Sequence, residues 1–244
     1  DALLKLVDHL YERLDEAAWP TTIASQPGAS CLPDYFAFEA RMRGSSAEVR
    51  ARQRVYVDAF REQEPVLDLG CGRGEFLRLL REAGIEGRGV DADADMVGYA
   101  RAEGLEVAHA DAFSYLEGLA DSSLGGIFCA QLVEHLPPPA LVRLLSLAAV
   151  KLRPGGLLVA ETINPLSPLA LRSYFADLTH AQPLVPETLA HLAEQAGFRR
   201  VETRFLNEPA EKLAVPDDPL LAENVRRLNE ILFAPLDYAL FAWA

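Results

Sequence analysis

Basic residues are in short supply in this chain: 23 Lys and Arg stand against 36 Asp and Glu over 244 residues, for a formal net charge of −13. A phosphate backbone rewards clustered cations through counterion release, so this deficit argues against a nucleic-acid binder. Cysteine is scarcer still. Cys31, Cys71 and Cys129 are odd in number and widely spaced, which fits neither a disulfide framework nor a CxxC metal knuckle and predicts a reducing compartment. No apolar run approaches the roughly 18 residues that cross a bilayer. The opening DALLKLVDHLYERLDE mixes charges throughout instead of forming a signal peptide's apolar block. These absences together predict a cytoplasmic protein without a transmembrane segment. What is present is an ordinary globular balance, 50% hydrophobic and 24% charged, which excludes disorder throughout.

Residues 2–18 place Leu3, Leu6, Val7, Leu10, Tyr11 and Leu14 at three- and four-residue intervals, the pattern of an amphipathic helix. Such a helix either docks on its own domain, pairs with a second copy or another partner, or lies on a membrane surface; its acidic polar face disfavours the last. The breaker-rich stretch 20–33 reads as a linker, so residues 1–34 form an appendage and 35–244 the main domain. From Pro65 onward short apolar runs alternate with helical patterns, and this βαβαβ rhythm predicts a parallel sheet with helices on both faces. Further strands are expected at 124–130, 156–163 and 200–206, helices near 140–152 and 187–196, and a last strand at YALFAWA. A helical insertion at about 208–235 separates the two strands of a terminal hairpin.

The strand PVLDLG runs directly into GCGRGEF, placing Gly70, Gly72 and Gly74 before a helix that starts at Glu75. Glycines let a backbone approach a ligand closely, and in an open parallel sheet this loop lies at the topological switch point. The dinucleotide fingerprint G-x-G-x-x-G would need glycine where Glu75 stands. A carboxylate there would oppose a pyrophosphate but not a cofactor with a cationic centre and no phosphate, which is the character of S-adenosylmethionine. Asp91 closes the next strand about 20 residues on, where a carboxylate accepts from ribose hydroxyls. Its alternative is a helix N-cap, although Asp93 is the better placed cap. Asp111 either accepts from an adenine amino group, with the Ala112 N–H beside it, or caps a helix.

VLDLGCGRGEF, GVDAD, ADAF and LRPGGLLVAET resemble the successive motifs of class I S-adenosylmethionine-dependent methyltransferases, in order and spacing, over about residues 65–206. The resemblance implies a Rossmann-like, seven-stranded, mostly parallel sheet with helices on both faces and a C-terminal antiparallel hairpin. It implies that Asp68 and the loop Gly70, Cys71, Gly72 and Gly74 hold the methionine moiety, Asp91 the ribose, and Asp111 with Ala112 the adenine. Ala92, Met96 and Gln131 complete the implied cofactor set. A narrower resemblance, carried by DYFAFEARMRGS, QLVEHLP, ETINPLS and DLTHAQPLVPETL, is to methyltransferases of bacterial surface-polysaccharide and glycan assembly, including the methyltransferase part of O-antigen chain terminators. Ile163 departs from the proline that this group shows before its asparagine. By that analogy Tyr35, Phe38 and Arg43 fold over the cofactor, with Arg43 pairing the methionine carboxylate; its alternative is a surface salt bridge.

Methyl transfer from a sulfonium is an in-line displacement, and an alcohol acceptor must also lose a proton. GIFCAQLVEHLPP follows the fourth strand and brings Gln131, Glu134 and His135 to the acceptor side, making His135 the first candidate base. His180, in DLTHAQP, is the second. Each has a structural alternative, as a helix-start hydrogen bond or a loop tie. Asn164 either orients the acceptor or forms an Asx-turn before Pro165. Glu134, His135, Asp177 and His180 form a conceivable metal cluster, but the spacing does not demand one and no metal is assigned. The expected function is O-methylation of a sugar hydroxyl or glycan-linked phosphate. The alternatives are methylation of a small phenol or natural product under an apolar lid at 208–235, and a non-catalytic module that recruits a glycan-assembly partner through residues 1–18.

Overall fold

The computed structural model describes residues 44–244; the expected helix at 2–18, the linker at 20–33 and the proposed sites Tyr35, Phe38 and Arg43 lie outside the described residues. Seven strands, β1 (Val66–Leu69), β2 (Gly87–Asp91), β3 (Val107–His109), β4 (Leu124–Ala130), β5 (Leu152–Ile163), β6 (Arg200–Leu206) and β7 (Asp237–Trp243), make one sheet in the order β3-β2-β1-β4-β5-β7-β6. The first five are parallel, and β7 runs antiparallel between β5 and β6. The strand order reverses between β1 and β4, and their carboxyl ends therefore open a crevice.

Both faces of the sheet centre are covered, which is why β1 and β4 are buried at every position, whereas the residues of the edge strand β6 are only partly buried or exposed. On one face Leu67, Leu69, Ile127, Cys129, Leu158 and Leu240 pack under α4 (Ala112–Gly118), α5 (Pro138–Lys151) and α7 (Pro186–Ala196). On the other Val66, Phe128, Val159 and Phe241 meet α2 (Glu75–Glu82), α3 (Ala94–Ala102) and a 3-10 helix at Arg54–Phe60. Phe128 stacks on Phe76 at 3.8 Å between ring centroids and meets the edge of Phe60 at 6.1 Å. Truncating such a fully buried ring to alanine costs about 3–5 kcal/mol. Gly125 of β4 admits no side chain: an added Cβ would lie 2.5 Å from the Gln63 backbone, where the chain crosses into β1.

The expected strands at 124–130 and 200–206 match residue for residue, and the insertion carries α8 (Pro219–Leu232). β5 begins at Leu152, four residues before the expected Gly156, because Arg153, Pro154 and Gly155 continue as an exposed strand extension past a register shift opposite Leu124 and Gly126. Short helices α1 (Ser46–Gln53) and α6 (Pro168–Ala176) carry little apolar periodicity and were not expected, while α4 is the helix that the capping alternative for Asp111 implied. Their starts hold the legible signal. α1 has a Ser45/Glu48 capping box, α4 has Asp111 as N-cap, and α6 has Pro168 in its first turn. Among the described residues no helix is long and apolar enough to cross a membrane.

Candidate functional site

The loop after β1 takes left-handed backbone at Gly70, Gly72 and Gly74, with φ of 66°, 52° and 78°. The Gly70 and Cys71 N–H groups both reach the Val90 carbonyl, at 2.9 and 3.2 Å, which folds the loop back over β2. Gly74 then serves as N-cap of α2, and a Cβ there would lie 2.3 Å from Leu105 Cδ1. Asp91, the last residue of β2, ties this loop to the next helix: its Oδ2 accepts from the Gly72 N–H at 2.8 Å and its Oδ1 from the Asp93 N–H at 2.8 Å. Asp93 is the N-cap of α3, accepting from Asp95 and Met96 N–H, so Asp91 is left to the crevice rather than to helix capping.

Gly70, Gly72, Asp91, Ala92, Met96, Asp111, Ala112, Gln131 and His135 all line one cleft at the carboxyl edge of the sheet, although they are spread over 66 positions of sequence, from 70 to 135. Phe113, Leu132 and Leu136 line it too, and give the cleft apolar walls that sequence reasoning missed; nothing in the spacing distinguishes them from core residues. Asp68 and Cys71 are buried beneath the loop rather than in the wall. The Cys71 sulfur fills the space left by Gly89, where a Cβ would approach it to 2.6 Å, and burial pushes its thiol pKa far up. Asp111 caps α4 through its Oδ1, which accepts from the Ser114 N–H and hydroxyl at 2.9 and 3.2 Å. Its capping role is thus realised at the edge of the same cleft.

Glu75 corrects one step of the reading from sequence. Its carboxylate is buried and pairs with Arg73 Nε at 2.8 Å, and Arg73 also reaches the Gly44 carbonyl. The charge that was expected to oppose a pyrophosphate is compensated, so the discrimination rests on the missing third glycine instead.

On the far side of the cleft, β4 ends at Ala130 and a 3-10 turn carries Val133–His135. His135 and His180 lie with ring centroids 4.5 Å apart. His180 Nδ1 is 2.6 Å from the Tyr174 carbonyl and its ring stacks on Tyr174, while His135 Nδ1 is 2.9 Å from Thr179 Oγ1. The Thr179 hydroxyl also lies 2.6 Å from Asp177 Oδ1. The segment bearing His180 is latched to the first histidine's turn by Ala181 N–H donating to the Glu134 carbonyl at 2.8 Å. Glu134 is fully buried. Glu134, His135 and His180 each bring one donor atom within 4.8 Å of the others, so these three are able to hold a metal ion, while Asp177 acts through Thr179. Asn164 is a buried Asx-turn residue: it donates to the Pro235 carbonyl and accepts from the Leu166 N–H, which leaves the structural alternative in force. His109 holds the Ala92 carbonyl at 3.1 Å.

The glycine loop, the strand-end carboxylate and the reversed strand order describe a nucleoside-cofactor crevice, and the comparisons with known proteins agree. A family model described as a methyltransferase domain matches residues 38–203. The chain belongs to that methyltransferase family. This methyltransferase is similar to the crystal structure of an S-adenosylmethionine-dependent methyltransferase from Archaeoglobus fulgidus, with TM-score 0.82 and 42% identity over 86% of this chain and 99% of that one. Its fold and S-adenosylmethionine dependence follow. It is also similar to proteins named ubiquinone biosynthesis O-methyltransferase. The one from Methylococcus capsulatus is 32% identical over 126 residues, 49% of this chain and 50% of that protein. The one from Burkholderia thailandensis is 27% identical over 171 residues, 63% of this chain and 73% of that protein. The chain spans about half the length of the Methylococcus relative in this match.

Proposed function

We propose that this methyltransferase methylates a hydroxyl oxygen and that His135 is the base that removes the hydroxyl proton. The Asp177–Thr179–His135 relay carries this reading. A threonine hydroxyl has one proton to give, and a carboxylate only accepts, so the 2.6 Å contact commits that proton to Asp177. Thr179 Oγ1 therefore accepts from His135 Nδ1, which leaves Nε2 as the nitrogen that can take a proton. A phosphate or carboxylate acceptor needs no such base, whereas an alcohol does.

S-adenosylmethionine, when bound, supplies a methyl group on a cationic sulfur. In this reading Asp68, Gly70, Cys71, Gly72 and Gly74 hold its methionine part, Asp91 and Ala92 its ribose, and Met96, Asp111 and Ala112 its adenine. For Tyr35 and Arg43, outside the described residues, the cofactor role rests on the narrower motif resemblance alone. The support is the common cleft for Gly70, Gly72, Asp91, Ala92, Met96, Asp111 and Ala112, together with an Asp91 carboxylate already fixed by two backbone N–H groups; for Asp68, Cys71 and Gly74 it is the motif resemblance. Leu132, Leu136 and Phe113 keep the cleft wall apolar, which strengthens electrostatic contacts made inside it.

For the acceptor we favour a sugar hydroxyl, or a glycan-linked phosphate as the variant that dispenses with His135. The support is the narrower motif resemblance and the polar side chains of Gln131, Asn207 and Asp237 grouped beyond β4. A second reading, a phenolic hydroxyl, is favoured by the names of the curated relatives and by exposed apolar side chains on α6 and α8, among them Phe175, Leu220 and Ile231. The test is transfer of labelled methyl from S-adenosylmethionine to nucleotide sugars, lipid-linked glycans, glycosyl phosphates and phenols, each with and without Mg²⁺. Label in a sugar supports the first reading and label in phenols alone the second. Label in neither, from protein that binds the cofactor, would refute hydroxyl methylation. Dependence on Mg²⁺ would place a cation at Glu134, His135 and His180, and independence leaves His135 as base.

A further inference from the structure

Gln131 is the first residue beyond β4 and turns the chain with φ of 55°, a left-handed conformation without a glycine. Side chains held in this region cost of order 1 kcal/mol or more and persist where the surroundings impose them. The surroundings here are specific. The Gln131 backbone N–H donates to the Glu161 carbonyl at 2.9 Å, and its side-chain Nε2 lies 3.3 Å from Glu161 Oε1 and 3.2 Å from Asp237 Oδ1. Burial pushes the Asp237 carboxyl up while the Asn207 and Gln131 N–H groups favour its ionised form; an ionised carboxylate only accepts, so the amide nitrogen faces both carboxylates and both of its protons are used. The far oxygen of each carboxylate has its own donor. The buried Tyr56 hydroxyl donates to Glu161 Oε2, and Asn207 Nδ2 donates to Asp237 Oδ2 at 2.7 Å. The relay Tyr56–Glu161–Gln131–Asp237–Asn207 thus spans the carboxyl edge from the 3-10 helix to the end of β6. Among the described residues the acceptor atom at its centre, the Gln131 side-chain oxygen, is left without a donor, on a residue that lines the cleft beside Leu132 and His135.

We propose that Gln131 orients the methyl acceptor, its side-chain carbonyl receiving an O–H of the acceptor next to the one that is methylated, and that Glu161 and Asp237 are positioning residues that hold the amide in this sense. The inference rests on the hydroxyl-methylation reading and moves Gln131 from the cofactor to the acceptor. A hydroxyl has one proton to give, so the neighbouring O–H that donates to Gln131 fixes the acceptor's orientation while His135 takes the proton of the hydroxyl that is methylated. Reversing the amide would present N–H groups to the acceptor and turn recognition of a donor into rejection.

The test uses the full chain and three variants: Asp237→Asn, the exchange Asn207→Asp with Asp237→Asn, and Gln131→Leu. Methyl transfer is followed with catechol and methyl α-mannopyranoside as probes, and S-adenosylhomocysteine affinity is measured by calorimetry. Asp237→Asn and Gln131→Leu are expected to lower kcat/KM for the methylated probe about tenfold or more, the loss of about one hydrogen bond. The exchange restores the donor order and should recover the rate to within about threefold, while cofactor-product affinity stays within about twofold in all three. Unchanged probe kinetics in Asp237→Asn would overturn the inference. So would a parallel tenfold loss of S-adenosylhomocysteine affinity, which would return Gln131 to the cofactor. If wild-type protein labels neither probe, the hydroxyl reading has failed with those probes, and the relay is judged by nitrogen-15 NMR of the Gln131 amide. Exchange-protected amide protons that lose protection in Asp237→Asn sustain it, and fast exchange in the wild type overturns it.

Discussion

On the β1–β3 side of the cleft the groups that face a ligand are glycine surfaces and the carboxylates of Asp91 and Asp111, each held by at least one backbone N–H. On the β4–β7 side they are side chains, two of them hydrogen-bonded across 106 positions of sequence. The first side is a shape that any nucleoside cofactor of this class demands, set by local turns within residues 68–112. The second is assembled from the ends of β4, β5, β6 and β7 and from the connection after β5, where a change of one side chain changes the chemistry and leaves the sheet intact. Keeping these two jobs on different strands lets side chains at the second side be changed without disturbing the turns of the first.

The sharpest way to break that division is at His135. His135→Asn should lower methyl transfer by about 10²–10⁴-fold in single-turnover assays, the usual worth of a positioned base. Less affected, Thr179→Val keeps the shape but leaves the imidazole unsupported, with turnover expected to fall about tenfold in the same assay. On the cofactor side, Asp111→Ala and Asp93→Ala each remove an N-cap and should cost about 1 kcal/mol, or about 2–4 °C in melting temperature by calorimetry. Only Asp111→Ala should also weaken S-adenosylhomocysteine, and equal affinities would reduce Asp111 to a cap. The smallest effect is expected at Cys71. Burial, with the nearby Asp68 and Asp91 charges, pushes its thiol up and away from the reactive thiolate, so iodoacetamide at neutral pH should leave it unmodified by mass spectrometry.

The same division explains how much the sequence disclosed. The left-handed turn at Gly70, Gly72 and Gly74, the N-cap at Asp93 and the place of Asp91 at the cleft were legible because each is set within a few residues of its own turn, where spacing reports geometry. Strands 124–130 and 200–206 are legible for a related reason: apolar runs and alternation are local signals. His135 and His180 were each identifiable as candidates, but their 4.5 Å approach depends on a latch between Ala181 and the Glu134 carbonyl that no spacing encodes. Tyr56, Glu161, Asn207 and Asp237 were not singled out at all. Tyr56 looks like a core aromatic, Glu161 and Asp237 like ordinary strand carboxylates, and only the sheet order brings them to Gln131. Glu75 shows the opposite limit, where the residue was noticed but its neighbour Arg73 cancels the charge on which the reasoning relied.

The division of the cleft is tested most directly by titrating S-adenosylhomocysteine into Asp91→Ala and His135→Asn side by side. Asp91→Ala should bind at least about tenfold more weakly than wild type, about 1.4 kcal/mol, for loss of a charged hydrogen-bond acceptor, whereas His135→Asn should stay within about twofold. Equal losses in the two variants, or a loss confined to His135→Asn, would contradict it.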